Sequence, residues 1–150
     1  MGVAMCDSVK NKDNLSPIIH PNGQQFAGSE TCASCHKSIS ETHKLTAHYL
    51  TSRPATTENV KGSFDPPNDV FELNSQLKIV MRKTSTSLFQ VGFVDNWEAI
   101  KQPMDIVIGS GRKGQTYLYW DEKKLMQLPV SYYAPMNTWC NSPGYPTDRI

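Results

Sequence analysis

Several features that mark common protein classes are missing from this sequence of 150 residues. The mainly apolar stretches Met104–Ile108 and Leu77–Met81, each interrupted by one charged residue, are far shorter than the roughly 18 to 20 residues that span a bilayer. Lysine and arginine total 15 against 14 acidic residues, and no basic run occurs, so no nucleic-acid partner is expected. No Ser-His-Asp or paired-carboxylate constellation can be picked out either. The sequence therefore predicts no transmembrane helix and offers no recognisable hydrolytic motif.

An export signal is also missing, because the five residues before Cys6 are too few to form one. Residues 1–28 are polar and contain several prolines and glycines, so they are expected to form an extended leader. The small residues before Cys6 loosely resemble a lipoprotein cleavage site, which makes a lipid anchor there one alternative to a free or disulfide-bonded cysteine.

Cysteine is scarce, with only four residues, yet two of them form the strongest motif in the chain. Cys32 and Cys35 are three positions apart and His36 follows at once, which matches the C-x-x-C-H pattern of c-type haem attachment. Three-residue spacing places both sulfur atoms on one side of a helical turn, where each can bond one haem vinyl group. The adjacent imidazole of His36 is then the axial ligand of the iron.

Two other interpretations of this cysteine pair stay open. A zinc site normally needs two further ligands, which His43 and His48 could supply as a Cys2His2 set. A redox dithiol is the second alternative, although it would normally follow a strand, which the leader does not provide. Covalent haem c is the favoured prediction, because the motif is specific to it.

The second axial ligand is less well defined by the sequence. His48 is favoured, but on one straight helix it would lie about 18 Å from His36, too far for two ligands of one iron. A break in the helix, or a second haem, would remove this conflict. An open iron site is a further alternative, and the remaining candidate ligands are His43, His20, Met81, Met104, Met126 and Met136.

Local patterns predict an α+β fold. An N-terminal haem-binding helical segment, with a helix over 30–50, is expected to precede a small antiparallel β-sheet with irregular termini. The expected organisation is a leader (1–28), a haem-attachment segment (29–60) and a β-rich part of the same domain (61–150). Runs rich in β-branched and aromatic residues predict strands at 69–73, 76–82, 87–94, 105–108, 115–120 and 124–128.

The glycines at 109, 111 and 114 formally match the G-x-G-x-x-G dinucleotide fingerprint. That motif must open a helix, whereas here a predicted strand follows it. The loop is therefore interpreted as a hairpin connection.

Residues 28–36 read Gly-Ser-Glu-Thr-Cys-Ala-Ser-Cys-His, and Thr46-Ala47-His48 follows a dozen residues later. In these features, and in residues 107–118 and 128–133, the chain resembles the bacterial multihaem c-type cytochromes of the cytochrome c-554 type. The resemblance implies that His48 is a haem ligand, though not always of the nearest haem. It also implies further haems, either in a longer chain or in partner subunits, because this chain carries one motif.

The expected function is electron transfer through covalently bound haem to neighbouring cytochrome or redox subunits. Two alternatives are the haem domain of a multihaem oxidoreductase with an open iron site for a small molecule, and a non-redox binding module. Because haem is attached to this motif outside the cytoplasm, the expected location is the periplasm or the cell surface. Membrane contact is expected only through a lipid anchor at Cys6 or through a partner.

Overall fold

The computed structural model describes residues 22–24 and 28–150. Most of the predicted leader, including Cys6 and His20, lies outside these residues. The described residues divide into two units, with the boundary between Thr42 and His43. None of the helices in the described part is long and apolar enough to cross a membrane.

The prediction of a single helix over 30–50 is wrong, because two short helices form there instead. These are α1 (Ser29–Cys35) and α2 (Lys37–Lys44), separated by the non-helical backbone of His36 at φ −117° and ψ 45°. After α2, the Thr46 hydroxyl donates to His43 O at 2.7 Å and accepts the amide of Tyr49 at 3.1 Å. Because a threonine side chain that bonds the backbone competes with helical hydrogen bonds, the helix does not continue to residue 50.

The second unit consists largely of strands. Each pairs antiparallel with its neighbours, and β7 is the longest. The strands are β1 (Ser52–Pro54), β2 (Val70–Glu72), β3 (Leu77–Lys83), β4 (Leu88–Val94), β5 (Trp97–Pro103), β6 (Ile106–Ile108), β7 (Gly114–Asp121), β8 (Lys124–Gln127), β9 (Val130–Tyr133) and β10 (Thr138–Asn141).

These strands form two sheets. One has the order β1-β6-β7-β9-β10, with β8 paired to the far end of β7, and the other has the order β2-β3-β4-β5. Strands make up about 40% of the described residues. The predicted α+β class, with a haem-binding helical segment before one small sheet, is therefore wrong, and the chain is β-rich. The local sequence pattern predicted six strand segments. It could not predict the number of sheets, because pairing between strands that are distant in sequence leaves no local signal.

The hydrophobic core lies in the second unit. Alternate residues of β3, namely Leu77, Ile79 and Met81, are buried, as the two-residue period of a strand requires. They belong to a core that also includes Val107, Tyr117, Leu128, Val130 and Trp139. The core-facing positions of β4 and β7 include the buried glutamines Gln90 and Gln115, which need hydrogen-bond partners.

Candidate functional site

The cysteine pair lies on the last turn of α1. Cys32 and Cys35 are both exposed and both are free thiols. Their three-residue spacing on a helix makes them neighbours on one face, with Cβ atoms about 5 to 6 Å apart. Ser34 donates its hydroxyl to Thr31 O at 2.7 Å and contacts the Cys35 Sγ at 3.8 Å. Nothing in this turn covers either sulfur, so both are accessible for covalent attachment.

His36 lies at the junction of the two helices. Its amide donates to Cys32 O at 3.0 Å, which completes the last turn of α1. Its carbonyl accepts the amide of Ser40 at 2.9 Å, which begins the hydrogen bonding of α2. The residue is exposed, and its backbone is not helical. The two thiols and the imidazole therefore occur within one short, accessible stretch.

This set of donors fits covalent haem. Thioether attachment needs two unpaired thiols and iron ligation needs an imidazole nitrogen, and these groups lie on the surface of this segment. Among residues 22–24 and 28–150 there is no group of three or more His, Cys, Asp or Glu side chains that could hold a metal ion. Haem attachment does not need such a group, because the porphyrin itself supplies four ligands of the iron.

The segment that carries the motif has exposed apolar side chains, whose exposure local sequence reasoning did not anticipate. Neither α1 nor α2 contains a buried residue. The side chain of Ile39 in α2 is 65% exposed, and that of Leu45, after α2, is 76% exposed. The signal that could have found them is a set of isolated apolar residues close to a cofactor motif in an otherwise polar stretch.

His43 and His48 belong to the second unit, whereas the motif belongs to the first. The His43 ring packs edge-on against the Tyr49 ring, with centroids 5.3 Å apart. His48 is exposed and caps the 3-10 helix Tyr49–Thr51, where its carbonyl accepts the Thr51 hydroxyl at 2.7 Å. Because α2 ends at Lys44, the straight helix that separated His48 from His36 by about 18 Å is not formed. His48 as second ligand stays a prediction.

The methionine candidates differ in burial. Met81 and Met104 are both part of the hydrophobic core, where methionine is a common filler. Met126 and Met136 are exposed. The structure thus assigns a packing role to the first two.

Cys140 differs from the cysteines of the motif. It lies in β10 and is partly buried. Burial raises the pKa of its thiol, which lowers the fraction of reactive thiolate. This cysteine provides a natural internal control for the motif.

Comparison with known proteins identified no similar protein. No protein-family model, curated protein or solved structure matches the chain significantly.

Proposed function

We propose that this chain is a c-type cytochrome module that binds haem c through Cys32 and Cys35, with His36 as an axial ligand. The observation that carries the proposal is the pair of free, exposed thiols on one turn of α1, followed at once by an exposed histidine. When bound, haem supplies an iron that accepts and releases one electron. The chain fixes the cofactor through two thioether bonds and sets its potential through the axial ligands and their surroundings.

The exposure of the helical segment supports this proposal. Helices of seven and eight residues are marginal in water unless they pack an apolar face against something. Here no residue of α1 or α2 is buried by protein. A porphyrin held on one face of α1 would provide the apolar surface that such helices need, with Ile39 available as a contact.

We further propose that the module acts in the periplasm or at the cell surface, with other cytochrome or redox subunits as electron partners. This rests on its resemblance to multihaem cytochromes of the c-554 type. It also rests on the chemistry of the motif, since haem is attached to such motifs outside the cytoplasm. His48 is the proposed second ligand, in this haem or in a neighbouring one.

The test is attachment of haem to the full chain, exported to the periplasm in cells that contain a cytochrome c maturation system. Haem staining of a denaturing gel should show a covalent adduct. The double variant Cys32→Ala/Cys35→Ala should lose it, whereas Cys140→Ala, which changes a cysteine outside the motif, should keep it. Covalent haem in the double variant, or none in the unmodified chain, would overturn the proposal.

A visible spectrum of the matured protein tests electron transfer itself. A six-coordinate carrier should give a low-spin spectrum that does not change with cyanide or carbon monoxide. High-spin bands that shift with these ligands would instead indicate an open iron site that binds a small molecule.

A further inference from the structure

Three cationic residues lie in or beside the connection between β6 and β7 in the second unit. Arg112 and Lys113 are exposed residues of the loop 109–114. The aliphatic stem of Lys61 packs against Gly111, because a Cβ atom added at Gly111 would lie 3.1 Å from Lys61 Cγ. A side chain distant in sequence is thus brought to the same loop.

Lys61 is held there by two buried side chains. Its amide donates to Gln115 Oε1 at 2.7 Å, and its carbonyl accepts the hydroxyl of Tyr117 at 3.1 Å. Gln115 is only 2% exposed, and its Nε2 donates to Asn59 O at 2.9 Å and to Gly109 O at 3.4 Å. One buried amide therefore ties the backbone of Lys61 to the start of the loop.

The loop is also fixed at both ends. Gly109 donates its amide to Thr51 O at 2.7 Å, and Lys113 accepts the amide of Ala134 at 3.0 Å. The loop closes tightly, because a Cβ atom at Gly109 would lie 2.5 Å from Gly114 O. The backbone of the loop is therefore preorganised, so little backbone ordering would be needed when a ligand binds.

The sign of φ alternates along the backbone of this loop. Gly109 and Gly111 have φ of 106° and 85°, and Ser110 between them is not among the residues with positive φ. Successive N–H groups in such alternating conformations form nests that bind anions. The amides of Ser110, Gly111 and Arg112 donate to no backbone acceptor in the described part of the chain.

The local positive charge is not neutralised by protein. The ion pairs within residues 22–24 and 28–150 join Lys37 to Glu41, Arg82 to Glu98 and Lys83 to Asp65. Lys61, Arg112 and Lys113 take part in none of them. Two unpaired cations on the loop and a third beside it favour a ligand that carries two negative charges.

We propose that the loop 109–114 and Lys61 form a binding site for a phosphate group. The ligand is not a dinucleotide held at a helix N-terminus, because strand β7 follows the loop. Lys61 and Arg112 provide charge-assisted hydrogen bonds and the loop amides provide further donors. The phosphate is either free in solution or part of an anionic lipid head group. The site is independent of haem attachment.

The first test is an NMR titration of the full chain with inorganic phosphate, at an ionic strength kept constant with sodium chloride. Amide resonances of residues 110–113 should shift most. Lys61→Gln and Arg112→Gln should each weaken binding about tenfold, as loss of a charge-assisted hydrogen bond implies. Lys124→Gln, an exposed cation of β8, is the matched control and should bind as the unmodified chain does.

The second test separates the two sources of phosphate. Vesicles of phosphatidylcholine with phosphatidylglycerol should sediment the chain, but not Lys61→Gln, if the head group is the ligand. Binding of inorganic phosphate without vesicle binding identifies free phosphate. The proposal is overturned if neither binds, if the shifts spread over all basic residues, or if Lys124→Gln weakens binding as much as Lys61→Gln does.

Discussion

The side-chain amide of Gln90 pairs with the main chain of Val130 as a neighbouring strand would. Gln90 Nε2 donates to Val130 O at 2.6 Å, and Val130 N donates to Gln90 Oε1 at 3.0 Å. Gln90 lies in β4 of the four-stranded sheet and Val130 in β9 of the other sheet. One buried side chain thus joins the two sheets by two hydrogen bonds.

Replacing this glutamine should destabilise the second unit strongly. Gln90→Leu keeps the volume but leaves the amide and carbonyl of Val130 without partners, at about 1 to 3 kcal/mol for each buried group. The free energy of unfolding, measured by urea denaturation, should fall accordingly. Gln102→Leu, at the paired position of β5, is the control and should change it little. Equal losses in the two variants would contradict the role given to Gln90.

Gly62 is expected to tolerate no side chain. Its φ is 99°, and an added Cβ atom would lie 2.4 Å from Cζ2 of Trp139, whose Nε1 donates to Ser63 O and Asn68 O. Gly62→Ala should therefore lower the unfolding free energy by more than the roughly 1 to 2 kcal/mol of left-handed backbone strain alone. Gly144 also has a positive φ, of 76°, but no atom lies within 4 Å of an added Cβ atom. The variant Gly144→Ala should therefore show the cost of backbone strain alone.

Stability should fall at alkaline pH because of Tyr117. Burial is the main cause that raises the pKa of this phenol, and Tyr132 and Cys140 raise it further. The folded chain holds the phenolic proton more tightly than the unfolded chain, so its contribution to stability is complete below about pH 10 and is lost above it. Urea midpoints between about pH 8 and pH 11 should show this decline.

Tyr117→Phe should reduce this alkaline slope, while it also loses the hydrogen bond to Lys61 O. Tyr133→Phe changes an exposed tyrosine and should keep the slope. An unchanged slope in Tyr117→Phe would show that another group dominates the alkaline loss.

The second axial ligand can be assigned by histidine variants of the haem-loaded chain. His48→Ala should convert a low-spin spectrum to a high-spin one if His48 binds the iron, because the site then loses one strong-field imidazole. His43→Ala, which removes the ring packed on Tyr49, should leave the spectrum unchanged. A low-spin spectrum in His48→Ala would contradict His48 as ligand of this haem.

Strand positions were largely predictable, whereas the helical segment was not. The predicted strands at 76–82 and 87–94 correspond closely to β3 and β4. The reason is that a strand produces a two-residue period of apolar side chains, which is visible in the local sequence. Strand β5 was missed, since it is a mostly exposed edge strand without an alternating pattern. The helix over 30–50 was wrong because the backbone of His36 is not helical and because the Thr46 hydroxyl bonds the backbone beyond Lys44. Periodicity reveals neither feature.

The sequence by itself determined the chemistry proposed for the haem site, because two thiols and an imidazole on five consecutive positions act through local geometry. It also determined most strand segments, which follow from a two-residue period. Only the tertiary structure decided that the strands divide into two sheets and that Gln90 joins them. It alone placed Lys61 on Gly111, because contacts between residues 50 positions apart depend on strand order and packing rather than on any local pattern.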